Sequence, residues 1–378
     1  MDRRTLFSAC AAGFAFSANY TNHAPLVPVL RAEFGFDQAR AGLLTTAIFL
    51  THAIMQVPGG RLGDRFGAGR VVAVSLAWIA AANFAMAFAG AYWQLLFWKA
   101  LVGIGSGACF AAAARYIVVR SSDRDRPIAQ GIFGGFIVLG SGFVLFAVPQ
   151  LLDAFGWRGA CVACALVAAA AWLWWLTGAP HQKHVVRAAP GLLAVAEHGE
   201  LWLLGVIQMA SFGLMIVVGA WITVLLRSNF HLPLKSAGLM GSLVLLLGIA
   251  SRPLGGWLAQ RLRMRALLQI AMLLNALACS ALAYAGSIGV TWAAIVVLGT
   301  GCGLPYAAIF NRAAALVPAG AGAAIGLVNM VGIVMILVGT PAVGALADWT
   351  GRFQISFWTL AAFSLVAAGL ACAIPERA

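Results

Sequence analysis

Apolar residues in this chain gather into long runs separated by short polar punctuation. At a rise of 1.5 Å per residue, a helix needs about 20 apolar residues to cross a hydrocarbon layer about 30 Å thick. Six runs of that kind precede the middle of the chain, at roughly 5–30, 41–60, 70–90, 93–118, 127–151 and 158–177. Six more follow, at roughly 201–226, 236–259, 265–285, 289–316, 321–346 and 354–374. The long polar stretch from Thr177 to Glu200 holds His181, Gln182, Lys183, His184, Arg187, Glu197 and Glu200, and separates the two sets. The pattern predicts an all-α integral membrane protein with 12 transmembrane helices. It divides into a six-helix bundle over 1–177, a cytoplasmic central loop over 178–200 and a second six-helix bundle over 201–378.

Composition strengthens this prediction. The chain is 62% hydrophobic and 9% charged, whereas soluble domains run near 45–50% and about 25%. Water cannot solvate that much apolar surface, so lipid is the solvent for much of it. A formal charge of +13 would suggest nucleic acid in a soluble domain. Here the basic residues sit in short loops, where they report topology instead. With a cytoplasmic N-terminus, about sixteen Lys and Arg fall inside, among them Arg61, Arg65, Arg70, Arg115, Arg120, Arg124, Arg126, Lys183, Arg187, Arg261, Arg263 and Arg312. About six fall outside: Arg31, Arg40, Arg158, Arg227, Lys235 and Arg352. The expected location is the inner membrane with both termini cytoplasmic. Arg3 and Arg4 before an apolar run resemble an export signal, but the run continues to about Leu30 and is read as a retained first helix. The seven cysteines all lie in apolar runs and are read as small buried hydrophobes, with no metal or redox site.

The two sets repeat each other. Gln56-Val-Pro-Gly59-Gly60-Arg61-Leu62 aligns with Arg252-Pro-Leu-Gly255-Gly256-Trp257-Leu258 at an offset of about 196. Gly103, Gly105 and Gly107 align with Gly299, Gly301 and Gly303 at the same offset, and Asp153-x-x-Gly156 with Asp348-x-x-Gly351 at about 195. Two pseudo-symmetric halves of like orientation follow.

After the second run the sequence reads Gly60-Arg61-Leu62-Gly63-Asp64-Arg65-Phe66-Gly67-Ala68-Gly69-Arg70. This resembles the signature loop of the major facilitator superfamily; its second-half counterpart departs, with Gln260 where an aspartate is often found. The resemblance implies a two-bundle fold, a central cavity and alternating access. It also implies a gating role for Gly60, Asp64, Arg65, Gly67 and Arg70, with Arg115 beside Asp64. Arg252-Pro253-Leu254-Gly255-Gly256 resembles the eighth helix of the nitrate/nitrite porter branch, which uses one arginine in each half; here the first position is Gln56. That favours a small anion other than nitrate, with organic carboxylate and cyanate-like permeases open.

Ionisable residues at membrane depth are costly and therefore candidates for function. The acids all fall at helix ends, loops or tails, while Lys99 and Arg252 lie inside spans. Arg252 precedes Arg261 by about nine residues, which puts it about 13 Å deep. A guanidinium there can grip an anionic group bidentately; the competing role is a structural one on backbone carbonyls. Lys99 is either a second anchor or a snorkelling surface charge. Ser17, Asn19, Tyr20, Thr21, Asn22 and His23 form a polar cluster that should face a wet cavity. Within it, Asn19 and Tyr20 are candidate solute contacts. His23, read as the one histidine well inside a span, is a candidate coupling-proton site. Gln56, Gln208, Tyr306, Asn311 and Asn329 complete the candidate lining.

The expected partner is therefore a small anionic solute, with a coupling proton or counter-ion and the lipid bilayer, in a monomer without cofactor. A proton-antiporting exporter of drugs or amphiphiles is the alternative transporter; cationic cargo would call for a buried carboxylate. A membrane enzyme would need convergent catalytic groups, which the scattered acids do not provide. The charge bias predicts the topology directly: in a cysteine-free background, a cysteine at Ser122 should be labelled from the cytoplasm only, and one at Ser287 from the outside only.

Overall fold

The computed structural model describes residues 2–180 and 190–376. Among these, every regular element is helical. Helix α1 (Arg3–Thr21) gives way to a 3-10 turn at Ala24–Leu26 and then to α2 (Val27–Phe34). The helix expected over 5–30 is thus interrupted. Pro25 and Pro28 lack an N–H, and each disfavours helix in the residue before it. Next come α3 (Gln38–Phe66), α4 (Ala68–Met86) and α5 (Tyr92–Arg120). The fifth and sixth runs join as α6 (Arg126–Thr177), bent at Gly156, where φ is 68° and ψ 176°. Glycine takes this conformation without the clash a Cβ would make.

The second set is more broken than expected. After α7 (Leu192–Ala196), the seventh run is α8 (Gly199–Gln208), a π turn at Met209–Gly213 and α9 (Leu214–Phe230). The eighth is α10 (Leu234–Leu246) and α11 (Gly248–Leu258); Pro253 inside α11 leaves the Ile249 carbonyl without its helical donor. Then follow α12 (Met264–Tyr284), α13 (Ile288–Gly303), α14 (Tyr306–Leu316), α15 (Ala321–Thr350) and α16 (Gln354–Ala371). Ten helical stretches among the described residues are long and apolar enough to span a membrane. Counting α6 as two spans at Gly156 and adding α1 gives twelve. Phe146, Phe155, Trp93 and Leu277 are well exposed, as expected of side chains solvated by lipid.

Residues 181–189 of the polar linker, with His181, Gln182, Lys183, His184 and Arg187, lie outside the described residues. Glu200, expected in that linker, stands in the first turn of α8 and pairs with Arg312 through two bonds of 2.6 and 3.1 Å. Cys372 is exposed while the other six cysteines are buried; it follows the last helical turn rather than sitting inside a run.

By backbone proximity the chain forms two compact units. One comprises Met1–Arg126, Phe136–Glu197 and Ala313–Leu327; the other Pro127–Gly135, His198–Arg312 and Val328–Ala378. Each unit carries one copy of the glycine repeat, and the repeated glycines do the same packing work. A Cβ on Gly103 would meet Thr51 and Ile48; one on Gly299 would meet Leu247 and Val244. Gly105 faces Ile79, Trp78 and Ser75, and Gly301 faces Asn275, Leu274 and Ala271. Gly59 sits against Ala108 and Gly255 against Leu304. Every partner is displaced by the same offset of about 196 as the glycine it touches. The repeat therefore records close helix–helix approach, α3 and α4 on α5 in one unit and α10, α11 and α12 on α13 in the other. Gly156 and Gly351, at φ of 68° and 69°, repeat a turn as well.

A Gly59→Val substitution should overpack the α3–α5 contact and cost about 1–3 kcal/mol, seen as a lower melting temperature in detergent. Gly42→Ala, which meets open space, should leave the melt near wild type.

Candidate functional site

Asn19, Tyr20, His23, Gln56, Lys99 and the signature-loop residues belong to the first unit; Arg252, Gln208, Tyr306, Asn311 and Asn329 belong to the second.

In the first unit Lys99 is fully buried. Its Nζ donates to Asn22 Oδ1, to the Asn19 carbonyl at 3.3 Å and to Asn83 Oδ1 at 3.5 Å. Those oxygens match the three N–H donors of an ammonium, so the side chain is caged and does not snorkel to the surface. His23 lies beside this cage, with Nδ1 3.2 Å from the Tyr20 carbonyl and Nε2 2.9 Å from Thr45 Oγ1. Asn19 Nδ2 donates to the Ala15 carbonyl at 2.8 Å, while its Oδ1 is buried with no hydrogen-bond partner among the described residues. Tyr20 stacks among Phe16, Phe49 and His52 and accepts from Ser141 Oγ at 3.4 Å.

Gln56 is buried on α3, and its Nε2 lies 2.7 Å from His52 Nε2. His52 Nδ1 lies 2.7 Å from Ser106 Oγ on α5, which donates to the Gly103 carbonyl at 3.0 Å. His52 therefore joins His23 as a histidine deep in a span, correcting the expectation of only one. It stands four residues before Gln56, one helical turn away on the same face, and that spacing was the available signal. Asn83 and Ser106, isolated polar residues in apolar runs, carried no comparable signal; only the folded structure brings them to Lys99 and His52.

The signature loop is the tail of α3 and a turn at Gly67, where φ is 96° and ψ 128°. Asp64 is 3% exposed and accepts from Arg115 Nε and from the backbone N–H of Gly322 and Ala323, each at 3.0 Å. The carboxylate thus caps the N-terminus of α15, where free N–H groups and the helix dipole favour a negative charge. Gly60 lies against Gly322 with no room for a Cβ on either. Arg115 is the ion-pair partner of Asp64; the Arg65 guanidinium lies 5.2 Å from the Phe66 ring. Arg70 lines an apolar groove of about 370 Å³ with Phe66, Val74 and Trp78.

In the second unit Arg252 is 1% exposed. Its Nη1 donates to the Gly134 carbonyl at 2.7 Å, and its guanidinium carbon lies 4.4 Å from the Tyr306 ring centre and 5.8 Å from that of Phe212. Gly134 and Gly135 make this possible: a Cβ on Gly134 would strike the Tyr306 ring, and one on Gly135 would come within 2.9 Å of the Ile249 carbonyl. Gln208 Nε2 donates to Asn329 Oδ1 at 3.4 Å. Gln208 Oε1 and both amide atoms of Asn311 are buried without a hydrogen-bond partner among the described residues. No group of three or more potential metal ligands occurs among the described residues.

This arrangement can be set against known proteins. The profile of the Major Facilitator Superfamily matches residues 9–339, with a second match over 209–377. The chain belongs to this superfamily. A protein of Cupriavidus necator named as a probable sulfoacetate transporter is 27% identical over 278 residues, covering 68% of this chain and 64% of that protein. One of Thermus thermophilus named as a probable nitrate/nitrite antiporter is 24% identical over 370 residues, covering 88% and 82%. Among solved structures, the human organic anion transporter MFSD10 superposes with a TM-score of 0.81 at 17% identity, over 98% of this chain and 99% of that one; at that identity the likeness is one of fold. This superfamily member is a multi-pass membrane transporter, not an enzyme.

Removing the Asp64 carboxylate should strand Arg115 and two buried N–H groups. Asp64→Ala should therefore destabilise by roughly 3 kcal/mol, read as a lower melting temperature in detergent, with Asp64→Asn recovering part of the loss.

Proposed function

We propose that this transporter carries a small anion, organic or inorganic, across the inner membrane by alternating access between two six-helix bundles, with Arg252 as the anchor for the anion. The observation that carries this reading is the guanidinium of Arg252, buried at 1% exposure with the Tyr306 ring 4.4 Å away. The Tyr306 ring attracts the guanidinium, and a planar fork grips a carboxylate, sulfonate or nitrate-like group through parallel N–H donors. Burial makes each such bond stronger than in water. Sulfoacetate and nitrate/nitrite in the names of two relatives agree with that chemistry. Asn311, Gln208, Asn329 and Tyr306 are the further solute contacts proposed in the second unit, and Asn19, Tyr20 and Gln56 in the first. Lys99, with its donors already engaged, contributes by its field rather than by direct contact.

Asp64, with Gly60, Arg65, Gly67, Arg70 and Arg115, is proposed to gate the cycle, since its bonds to α15 are of a kind that conformational change can make and break. Cytoplasmic termini are proposed from the loop charges, and a monomer from the resemblance. An exporter of cationic amphiphiles is less well supported: it calls for a buried carboxylate, and Asp64 is engaged by Arg115 and two N–H groups.

In purified protein, sulfoacetate, nitrite or nitrate should raise the melting temperature, and Arg252→Ala should abolish the rise while the ligand-free melt persists. Loss of a charge-assisted hydrogen bond of about 1.5–3 kcal/mol corresponds to at least a tenfold weaker dissociation constant. Arg252→Lys, keeping charge but not fork, should fall between. Equal stabilisation of wild type and Arg252→Ala would remove Arg252 from the site.

A further inference from the structure

The second unit holds a cavity of about 710 Å³ where the ends of α9, α12 and α15 meet the start of α16. Val224, Leu225 and Leu282 give it an apolar wall, while Ser228, Asn229, Asp348 and Arg352 give it a polar one. A volume of that size suits a small molecule or a head group. Asp348 stands in the last turn of α15, and Gly351, at φ of 69°, turns the chain so that Arg352 follows outside the helix. Thr350 Oγ1, 2.8 Å from the Arg352 carbonyl, pins that turn. Two opposite charges thus line one cavity, and among the described residues no ion pair joins them. Trp221 and Phe353 line it too, their ring centres 5.8 Å apart, and Trp221 is held by its bond to the Thr340 carbonyl at 2.9 Å.

The first unit closes the corresponding place. At the repeat offset of about 195–196, Trp157 stands for Arg352, Arg158 for Phe353 and Glu33 for Asn229. Trp157 is 4% exposed. Its indole N–H donates to Glu33, which also pairs with Arg158 at 2.9 Å. The Phe34 ring lies 5.8 Å away, and Leu30, Met86 and Val148 belong to the same buried cluster. One copy fills the place with a buried, hydrogen-bonded indole. The other has a guanidinium there and keeps the space open.

The surroundings select the occupant. Tyr284, which lines the cavity, is 70% exposed, and Trp349, next to Asp348, is 82% exposed. Tyr284 also meets Trp358 edge-on at 5.5 Å. Exposed Trp and Tyr at the ends of spans mark the boundary between lipid and water. A simple anion there is opposed by Asp348 and a simple cation by Arg352, whereas a zwitterion suits both. A guanidinium takes a phosphate bidentately, and a carboxylate accepts N–H bonds from a primary ammonium.

We infer that this cavity binds the phosphoethanolamine head group of a membrane phospholipid. Arg352 takes the phosphate, Asp348 the ammonium, and Val224, Leu225 and Leu282 the start of the acyl chains. On the topology expected from the loop charges, this lipid belongs to the outer leaflet. The site lies within the second unit, and it does not rest on Arg252 or on the anion reading.

Native mass spectrometry of the full chain in detergent tests this, with palmitoyl-oleoyl phosphatidylethanolamine, phosphatidylglycerol and phosphatidylcholine titrated in turn. Wild type should bind phosphatidylethanolamine on the order of fivefold more tightly than phosphatidylglycerol, which lacks the ammonium, or phosphatidylcholine, whose nitrogen carries no N–H. Asp348→Asn and Arg352→Gln should each remove that preference. Both side chains are exposed, so both variants should melt near wild type in lipid-free detergent. Equal affinity of wild type for the three lipids overturns the site and needs no variant. An unchanged preference in both variants overturns it as well. Glycerophosphoethanolamine, the same head without acyl chains, should bind far more weakly than the lipid; affinity equal to the lipid's would make the occupant a soluble zwitterion and overturn the lipid assignment.

Discussion

Hydrocarbon offers no hydrogen bonds, so each polar group carried to membrane depth must find its partner inside the protein. Three of the described buried charges obey that constraint in three ways. Lys99 is solvated by two side-chain amides and a carbonyl. Arg252 takes the Gly134 carbonyl and the face of Tyr306. Asp64 takes Arg115 and the open end of α15. Each solution uses backbone that regular helices keep to themselves, and each depends on a glycine or a helix end that lets the side chain reach it.

This is why the glycines matter beyond their number. Small residues in α3, α5, α11 and α13 let helices approach until backbone oxygens touch neighbouring chains. Gly134 and Gly135 admit the Tyr306 ring and the carbonyl that Pro253 leaves free in α11. Contacts of that kind are stiff to small distortions, because a Cβ has nowhere to go. Polar atoms without a hydrogen-bond partner among the described residues, those of Asn19, Gln56, Gln208 and Asn311 among them, stand out against that economy. Groups left unsatisfied in hydrocarbon are expensive, and they are the natural places for a solute.

The two units treat one ancestral position differently. Arg252 and Gln56 occupy the same place in the repeat, and so do Gly248 and His52. The second unit has a permanent charge and a helix break near it. The first has a neutral amide that contacts His52, its neighbour one turn away.

The sequence by itself determined the membrane class, the twelve spans, the two-fold repeat and the place of Arg252 inside a span. All of these follow from local length, composition and spacing, which act along the chain. It also exposed the core of the signature loop, because glycines and an aspartate at that spacing are visible without a fold. What only the tertiary structure decided was partnership. That Arg115 rather than Arg65 neutralises Asp64, that Asn22 and Asn83 cage Lys99, and that His52 links Gln56 to Ser106 are contacts between residues up to about 80 positions apart. Hydrogen bonds are short and directional, so they are set by how helices cross and rotate. The hydrophobic pattern that places those helices in the membrane says little about that.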